Sequence, residues 1–170
     1  MAQFIVFGGE YYTTEALHNV LNYVCDKDKA NGFIGAQNMI DNNSFEQAMI
    51  VSRYFYNNTK KAVIHFAVAF APDEYISPQD AVNVGYMICG LLPEYQIRFG
   101  VHQDTDNLHI HFALNPVSLI DGHKFYFDNR NLITFMNGLR TIFKPYGFNV
   151  EYKYKSANEF IFSERLKCVV

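Results

Sequence analysis

Three of the six histidines in this chain of 170 residues lie in one short stretch, HQDTDNLHIHFALN (102–115). Side chains two residues apart on a β-strand point to the same face, so His109 and His111 would lie about 6.6 Å apart on one face while Ile110 faces the core. The DTDN tetrapeptide between two strand-like runs is typical of a tight turn. A hairpin closed there brings His102 opposite the pair, and three convergent imidazoles predict a metal site with open coordination positions.

Three neutral ligands would leave the charge of a divalent cation undiminished, so the ion would polarise a phosphoryl oxygen strongly. A tyrosine could supply the nucleophile and form a covalent phosphotyrosine, but composition alone does not select one of the twelve tyrosines. Asp104 is a candidate either to orient a ligand imidazole through its second ring nitrogen or to accept the tyrosine proton, and a turn cap is its structural alternative.

The same stretch resembles the third motif of conjugative relaxases, the mobilisation nucleases of the HUH endonuclease superfamily, in which the pattern reads H-x-D-x-x-x-x-H-x-H-x-x-x-N. The residues that match this pattern at the correct spacing are His102, Asp104, His109, His111 and Asn115. Five matches within fourteen residues make the resemblance specific.

Two other segments resemble relaxase motifs in the order that the family has them. LNYVCDKDKANG (21–32) resembles the first motif, an early helix followed by a lysine-containing loop, and Tyr23 falls on the nucleophilic tyrosine. HFAVAFAPDEYISPQDA (65–81) resembles the second motif, but Ala69 stands where the family usually has a serine that contacts DNA beside the nick. DGHKFYF (121–127) resembles the strand that follows the third motif.

The resemblance implies an α+β fold, with a central antiparallel β-sheet, flanking helices and the palm-like shape of HUH relaxases. It also implies metal-dependent, site- and strand-specific nicking of single-stranded DNA at a plasmid or transposon origin of transfer, through a covalent 5′-phosphotyrosyl intermediate. The cofactor would be a divalent metal ion, Mn²⁺ or Mg²⁺, with Zn²⁺, Co²⁺ or Ni²⁺ also compatible with imidazole ligands. Accessory relaxosome proteins are the further partners that it suggests.

The site residues fall into three groups under this interpretation. They are the catalytic Tyr23 and Asp104, the metal ligands His102, His109 and His111, and the DNA contacts Lys27, Lys29, Asn115, Lys124 and Arg130. Other basic side chains that could meet phosphates are Arg53, Lys60, Lys61 and Arg98. Tyr11 and Tyr12 compete with Tyr23 as nucleophiles, Asn115 could instead hold the strand end, and His65 is either a satisfied histidine or a member of the same site.

Three other functions remain open. A rolling-circle replication initiator shares the chemistry, but its tyrosine usually lies on a helix after the histidine strand, and the predicted helix 129–143 has no tyrosine. A catalytically weakened DNA-binding accessory of the same fold is favoured by Ala69 and by the net charge of −3, since nucleic-acid binders usually carry a basic face. A metal hydrolase unrelated to DNA would have no tyrosine near the three histidines.

The elements that must position these residues alternate between strands and amphipathic helices, with hairpins, which indicates an α+β fold. The pattern gives a first strand, two helices, a strand, a helix, the histidine hairpin, a short strand at 121–127, a helix and a last strand, with 26–38 as a loop. We expect one domain over 1–170 and no membrane span. Three cysteines without a CxxC motif and an N-terminus without a signal peptide predict reduced thiols and a cytoplasmic protein.

Overall fold

The computed structural model describes residues 1–39 and 45–156, which form a six-stranded sheet with helices on both faces. The strands are β1 (Ala2–Phe7), β2 (Ile34–Gln37), β3 (Ile64–Ala69), β4 (Ile97–His102), β5 (His109–Leu114) and β6 (Val150–Lys155). The helices are α1 (Thr14–Val24), α2 (Lys27–Ala30), α3 (Phe45–Phe55), α4 (Pro78–Cys89) and α5 (Asn129–Phe143), and a 3₁₀ turn, Lys144–Tyr146, follows α5.

The strand order across the sheet is β2-β4-β5-β3-β1-β6. Neighbouring strands are antiparallel from β2 to β1, while β6 runs parallel to β1 at the edge. The prediction of an α+β fold with a central antiparallel sheet and flanking helices is therefore confirmed, with one parallel pair added among the described strands.

The two faces of the sheet differ in chemistry because side chains alternate along every strand. One face is apolar, and α4 and α5 pack on it over rings such as Phe66 and Phe112, which stack with centroids 4.6 Å apart. The other face carries histidines and small residues on β3, β4 and β5, and α1 lies across β4 and β5 there. Because α4 and α5 cover the apolar face and supply the main core, the opposite face can carry a polar site.

Two local predictions differ from the structure. The segment 26–38, expected to be a loop, contains α2 and also β2, which pairs with β4. The segment 121–127, expected to be a strand, forms only an isolated bridge between Val117 and Lys124. The Asp121-Gly122 pair is typical of a type I′ turn, but of these two residues only Gly122 has a positive φ, of 75°, and that turn type needs two such residues.

Within the two described ranges, no helix is long and apolar enough to cross a lipid bilayer. The prediction that the whole chain from 1 to 170 forms one domain includes 40–44 and 157–170, which lie outside those ranges, and it stays a prediction.

Candidate active site

The β4–β5 hairpin brings the three motif histidines to one end of the polar face. His102, the last residue of β4, pairs directly with His109, the first residue of β5, and His111 follows on the same face. Ile110 points the other way and is fully buried in the apolar core. The alternation predicted from the sequence therefore places all three imidazoles together.

The three rings are close enough to share one cation. Their centroids are 4.6 Å apart for His102 and His111, 5.0 Å for His109 and His111, and 5.4 Å for His102 and His109. One nitrogen from each ring lies within 4.8 Å of the others. Three nitrogens this close could hold one cation as a facial set, which would leave further coordination positions for substrate or water.

Hydrogen bonds on the remaining nitrogens indicate which atom of each ring is available to a metal. His102 donates from Nε2 to the carbonyl oxygen of Val24 at 3.0 Å, and its buried Nδ1 has no hydrogen-bond partner in the structure. His109 donates from Nδ1 to the carbonyl oxygen of Asn107 at 2.8 Å, which leaves Nε2 as its ligand atom. A buried nitrogen without a partner on His102 fits a metal ligand, because an unsatisfied polar atom is costly otherwise.

His111 is supported by a fourth histidine, His65 on β3. His65 Nε2 and His111 Nδ1 are 2.9 Å apart, and both side chains are buried. The ring of Phe7 stacks on His65 with centroids 4.3 Å apart and lies 5.6 Å from His111. The sequence left His65 as either a satisfied histidine or a member of the same site. In the structure it is hydrogen-bonded and also lies in the histidine cluster.

The buried imidazoles are held neutral. Burial lowers the pKa of His65 to about 3, with His102 nearby adding to the effect, and burial lowers the pKa of His102 to about 4. Burial also holds the pKa of His111 well below its usual range, and the neighbouring imidazoles reinforce this. A neutral imidazole keeps the lone pair that a metal ion needs.

Tyr23, near the carboxyl end of α1, stands over this cluster. Its ring centroid lies 5.1 Å from that of His111, 5.3 Å from that of His102 and 5.7 Å from that of His65, all edge to face. The helix begins at the N-cap Thr13, whose side chain accepts a hydrogen bond from Ala16 N, and its apolar stripe packs on the sheet. These contacts fix the end of α1 that carries the tyrosine.

The close approach of α1 to the sheet depends on Gly100, which lies on β4 between Arg98 and His102 on the polar face. A Cβ at this position would overlap the carbonyl oxygen of Val24, the same oxygen that accepts from His102. A glycine inside a strand often marks such an approach. That signal was present in the sequence, whereas the carbonyl groups of Val24 and Asn107 carried no signal of their own.

Lys29 and Asp104 border the cluster beside Tyr23. Lys29 Nζ lies 4.3 Å from the centroid of the Tyr23 ring and 3.9 Å from Asp104 Oδ2. Asp104 Oδ1 is 3.8 Å from His109 Nε2, which is too long for a hydrogen bond. The partner on the second nitrogen of His109 is the Asn107 carbonyl, so the structure does not place Asp104 in the orienting role considered for it.

The competing tyrosines are farther from the cluster. The Tyr11 ring contacts only His65 among the four histidines, with centroids 6.3 Å apart, and burial raises the pKa of its hydroxyl, with Tyr154 adding to the effect. Tyr12 is exposed, and its carbonyl oxygen accepts a hydrogen bond from Arg53. Tyr23 is the tyrosine whose ring contacts two of the three candidate ligands.

Four of the predicted DNA contacts lie apart from the cluster. Asn115 is buried, and its amide donates to Ser52 Oγ and to Gln96 Oε1 at 2.8 Å, so its placement favours the structural role of holding the end of β5. Lys27 is exposed on α2. Lys124 lies in the segment after the far end of β5, and Arg130 is in the first turn of α5 on the apolar side.

The chain is similar to known proteins in sequence and in structure. The family model described as "Relaxase: MobA/VirD2-like, nuclease domain" matches residues 23–148. No curated protein matches the chain in sequence. A solved structure described as "Molecular Basis of Vancomycin Resistance Transfer in Staphylococcus aureus" is similar, with 13% sequence identity and a TM-score of 0.44 over 72% of this chain and 74% of that chain.

Proposed function

Because the chain belongs to the MobA/VirD2-like family of relaxase nuclease domains, we propose that it nicks one DNA strand through a covalent bond to Tyr23. The family supports DNA nicking in conjugation as the general activity, with single-stranded DNA at an origin of transfer as the substrate. The position of the Tyr23 ring, in contact with His102, His111 and His65, is the observation that carries the tyrosine assignment.

In the proposed step, Tyr23 Oη attacks the scissile phosphorus and the bond from phosphorus to the 3′ oxygen breaks. The 5′ phosphate stays on the tyrosine, and the 3′ oxygen takes up a proton and leaves as a free hydroxyl. One phosphate ester replaces another, so the step is reversible and permits later rejoining. Lys29 beside the ring favours the negative charge of the attacking phenolate, and Asp104 across Lys29 is the carboxylate that we assign to accept the phenol proton.

The donor set fits a divalent cation. His102 Nδ1 and the Nε2 atoms of His109 and His111 would hold it, and the bound cation would polarise the scissile phosphoryl oxygen and offset its developing charge. Three imidazoles suit Mn²⁺, Zn²⁺, Co²⁺ or Ni²⁺ by ligand type, and Mn²⁺ or Mg²⁺ is our proposal for the reaction.

The alternatives are less well supported. A rolling-circle initiator would need a tyrosine on the helix after the histidine strand, but α5 packs on the apolar face of the sheet and contains none. A non-catalytic accessory has no need of three aligned imidazoles under a tyrosine. Ala69 does not weaken the cluster itself, because it pairs with His109 across the sheet and contributes no ligand atom.

The experiment is to incubate the protein with Mn²⁺ and a labelled single-stranded oligonucleotide that carries the origin of transfer of its element. A covalent adduct that survives denaturing electrophoresis is expected, and Tyr23→Phe should abolish it because the nucleophilic oxygen is lost. Tyr23→Phe should bind Mn²⁺ as the wild type does in calorimetry, because the three ligands remain.

Tyr11→Phe is the matched control and should form the adduct at the wild-type rate. Adduct formation by Tyr23→Phe at the wild-type level would show that the nucleophile is another residue. An adduct that forms equally well in the presence of EDTA would contradict the role of the metal.

A further inference from the structure

Two lysines lie at the His65 end of the cluster, away from Lys29. Lys61 Nζ stands 5.7 Å from the centroid of the Tyr11 ring, and that ring contacts His65. Lys155 is the register partner of Phe7 on the parallel edge strand, so it shares the polar face with Phe7, which stacks on His65. Lys61 therefore borders this corner of the site, and the strand register places Lys155 on the same face beside Phe7.

Backbone hydrogen bonds hold this corner together. Ala62 N donates to Tyr11 O at 2.6 Å, and Gly8 N donates to Lys155 O at 2.7 Å. The segment from Phe7 to Tyr11 thus joins β1 both to the residue after Lys61 and to the end of β6. The backbone at Lys155 is therefore held by the sheet, and the residue after Lys61 is held by its hydrogen bond to Tyr11.

These lysines are only partly exposed, and within the described part of the chain no carboxylate oxygen lies within 4.0 Å of either ammonium group. Burial lowers the pKa of Lys61, which reflects the free energy that its charged form loses by leaving water. A partly buried cation that has no carboxylate partner among the described residues, beside a proposed site for phosphate chemistry, is stabilised when an anion binds next to it.

A DNA strand that crosses the metal centre must leave it in two directions. Lys29 and Asp104 mark one side, next to His109 at the turn end of the hairpin. The Tyr11 corner marks the other side, because His65 pairs with Ala113, four residues along β5 from His109. Phosphates follow one another along a strand, so the second cationic corner lies where a neighbouring phosphate would pass.

We propose that Lys61, beside the Tyr11 ring that contacts His65, and Lys155, beside Phe7 on the same face, form a subsite for a DNA phosphate next to the scissile one. This inference rests on the proposed function, since it assumes single-stranded DNA across Tyr23. Tyr11 would present its ring edge or face to the adjoining sugar or base, as aromatic side chains do in single-strand binding sites.

The test is the salt dependence of binding to fluorescein-labelled oligo(dT), which needs no knowledge of the nicked sequence. Each phosphate contact contributes about −0.7 to the slope of log K against log salt for single strands. Lys61→Gln should flatten the slope by about 0.7 and the double variant with Lys155→Gln by about 1.4, while Lys61→Arg, which keeps the charge, should retain it. Lys144, which is exposed in the 3₁₀ turn after α5, is the matched control, and its change to Gln should leave the slope unchanged.

Oligonucleotide length and Mn²⁺ binding distinguish a failure of the subsite from a failure of the proposed function. A subsite beside the scissile phosphate should show the Lys61→Gln effect with (dT)₆ as with (dT)₂₀, and an effect confined to the long strand would overturn the placement. A Lys61→Gln slope equal to that of Lys144→Gln would overturn the subsite and leave the proposed function standing. If the wild-type protein binds Mn²⁺ but neither oligonucleotide, both the function and the subsite fall.

Discussion

Each imidazole of the candidate metal centre is held from behind by a different acceptor: Val24 O for His102, Asn107 O for His109 and the His65 ring for His111. If His111 binds metal through Nε2, its Nδ1 carries the proton and donates to His65 Nε2. Such outer hydrogen bonds fix ring orientation and raise ligand basicity. His65 is the one of these three supports that is a side chain, so it can be tested by substitution.

His65→Ala should weaken Mn²⁺ binding by about 10- to 100-fold, because His111 loses the partner that orients it. Isothermal titration calorimetry measures the affinity, and His18→Ala, which removes an exposed imidazole paired with Glu46, serves as the control. Circular dichroism should confirm that both variants are folded. Wild-type affinity in a folded His65→Ala would show that His111 needs no such support.

At the residue scale, the relative positions of the three histidines could be predicted from the sequence because they depend on strand periodicity and one turn. Strand alternation placed His109 and His111 on one face, and the turn placed His102 opposite them. No periodicity singled out Tyr23 among twelve tyrosines, and only the resemblance to relaxase motifs did so. The support from His65 depends on the pairing of β3 with β5, which no local pattern encodes.

At the scale of elements, the contact between α1 and β4 brings the proposed nucleophile, Tyr23, to the proposed metal ligands. Gly100→Ala would place a methyl group against the Val24 carbonyl and force the end of α1 away from the sheet. Overpacking of this kind typically costs about 1–3 kcal/mol of unfolding free energy. We expect a loss in that range in urea denaturation, together with slower formation of the covalent adduct.

Gly90→Ala is the control for this prediction. Gly90 has right-handed helical dihedral angles, and an added Cβ would meet its nearest atom at 3.3 Å, so only a small change in stability is expected. Equal effects of the two substitutions on stability and on adduct formation would contradict a special role for the contact at Gly100.

The elements that sequence patterns missed are those that depend on partners elsewhere in the chain. β2 has four residues and includes Gly35, and it is a strand because β4 offers it hydrogen bonds. The opposite error occurred at 121–127, where Phe125 and Phe127 suggested a strand but pack into the apolar core as irregular chain. Short segments near Gly and polar residues give no periodicity to separate these cases.

For the whole molecule, the proposed metal centre predicts that the cation stabilises the fold, since a ligand that binds only the native state adds free energy by mass action. At a Mn²⁺ concentration one hundred times the dissociation constant, the gain is about 2.7 kcal/mol. A protein of this size should then melt about 5–10 °C higher. Differential scanning calorimetry with and without Mn²⁺ measures the shift.

His111→Ala should abolish this shift, because two imidazoles hold the ion far less tightly than three. Mg²⁺ should raise the melting temperature less than Mn²⁺, since it prefers oxygen ligands and retains its water. An equal shift in the wild type and in His111→Ala would place the stabilising ion elsewhere in the protein.

The overall charge of −3 says little about where the chain meets phosphates. Lys29, Lys61 and Lys155 lie around the polar face, whereas Arg130 lies with α5 on the other side, a separation that composition could not reveal. Because the fold places these lysines around one face, a chain with a small net negative charge can still present positive charge to a substrate on that face.

The hydrogen bond from His102 to Val24 O joins the helix that carries the proposed nucleophile to a proposed ligand of the cation. The position of the helix end and the binding of the cation are therefore thermodynamically linked. If a displacement of the helix end lowers the affinity for the cation by some factor, binding of the cation disfavours that displacement by the same factor. Kinetic effects of substitutions in α1 can thus arise through the metal, and metal occupancy has to be measured beside the rate before either residue is assigned its share of catalysis.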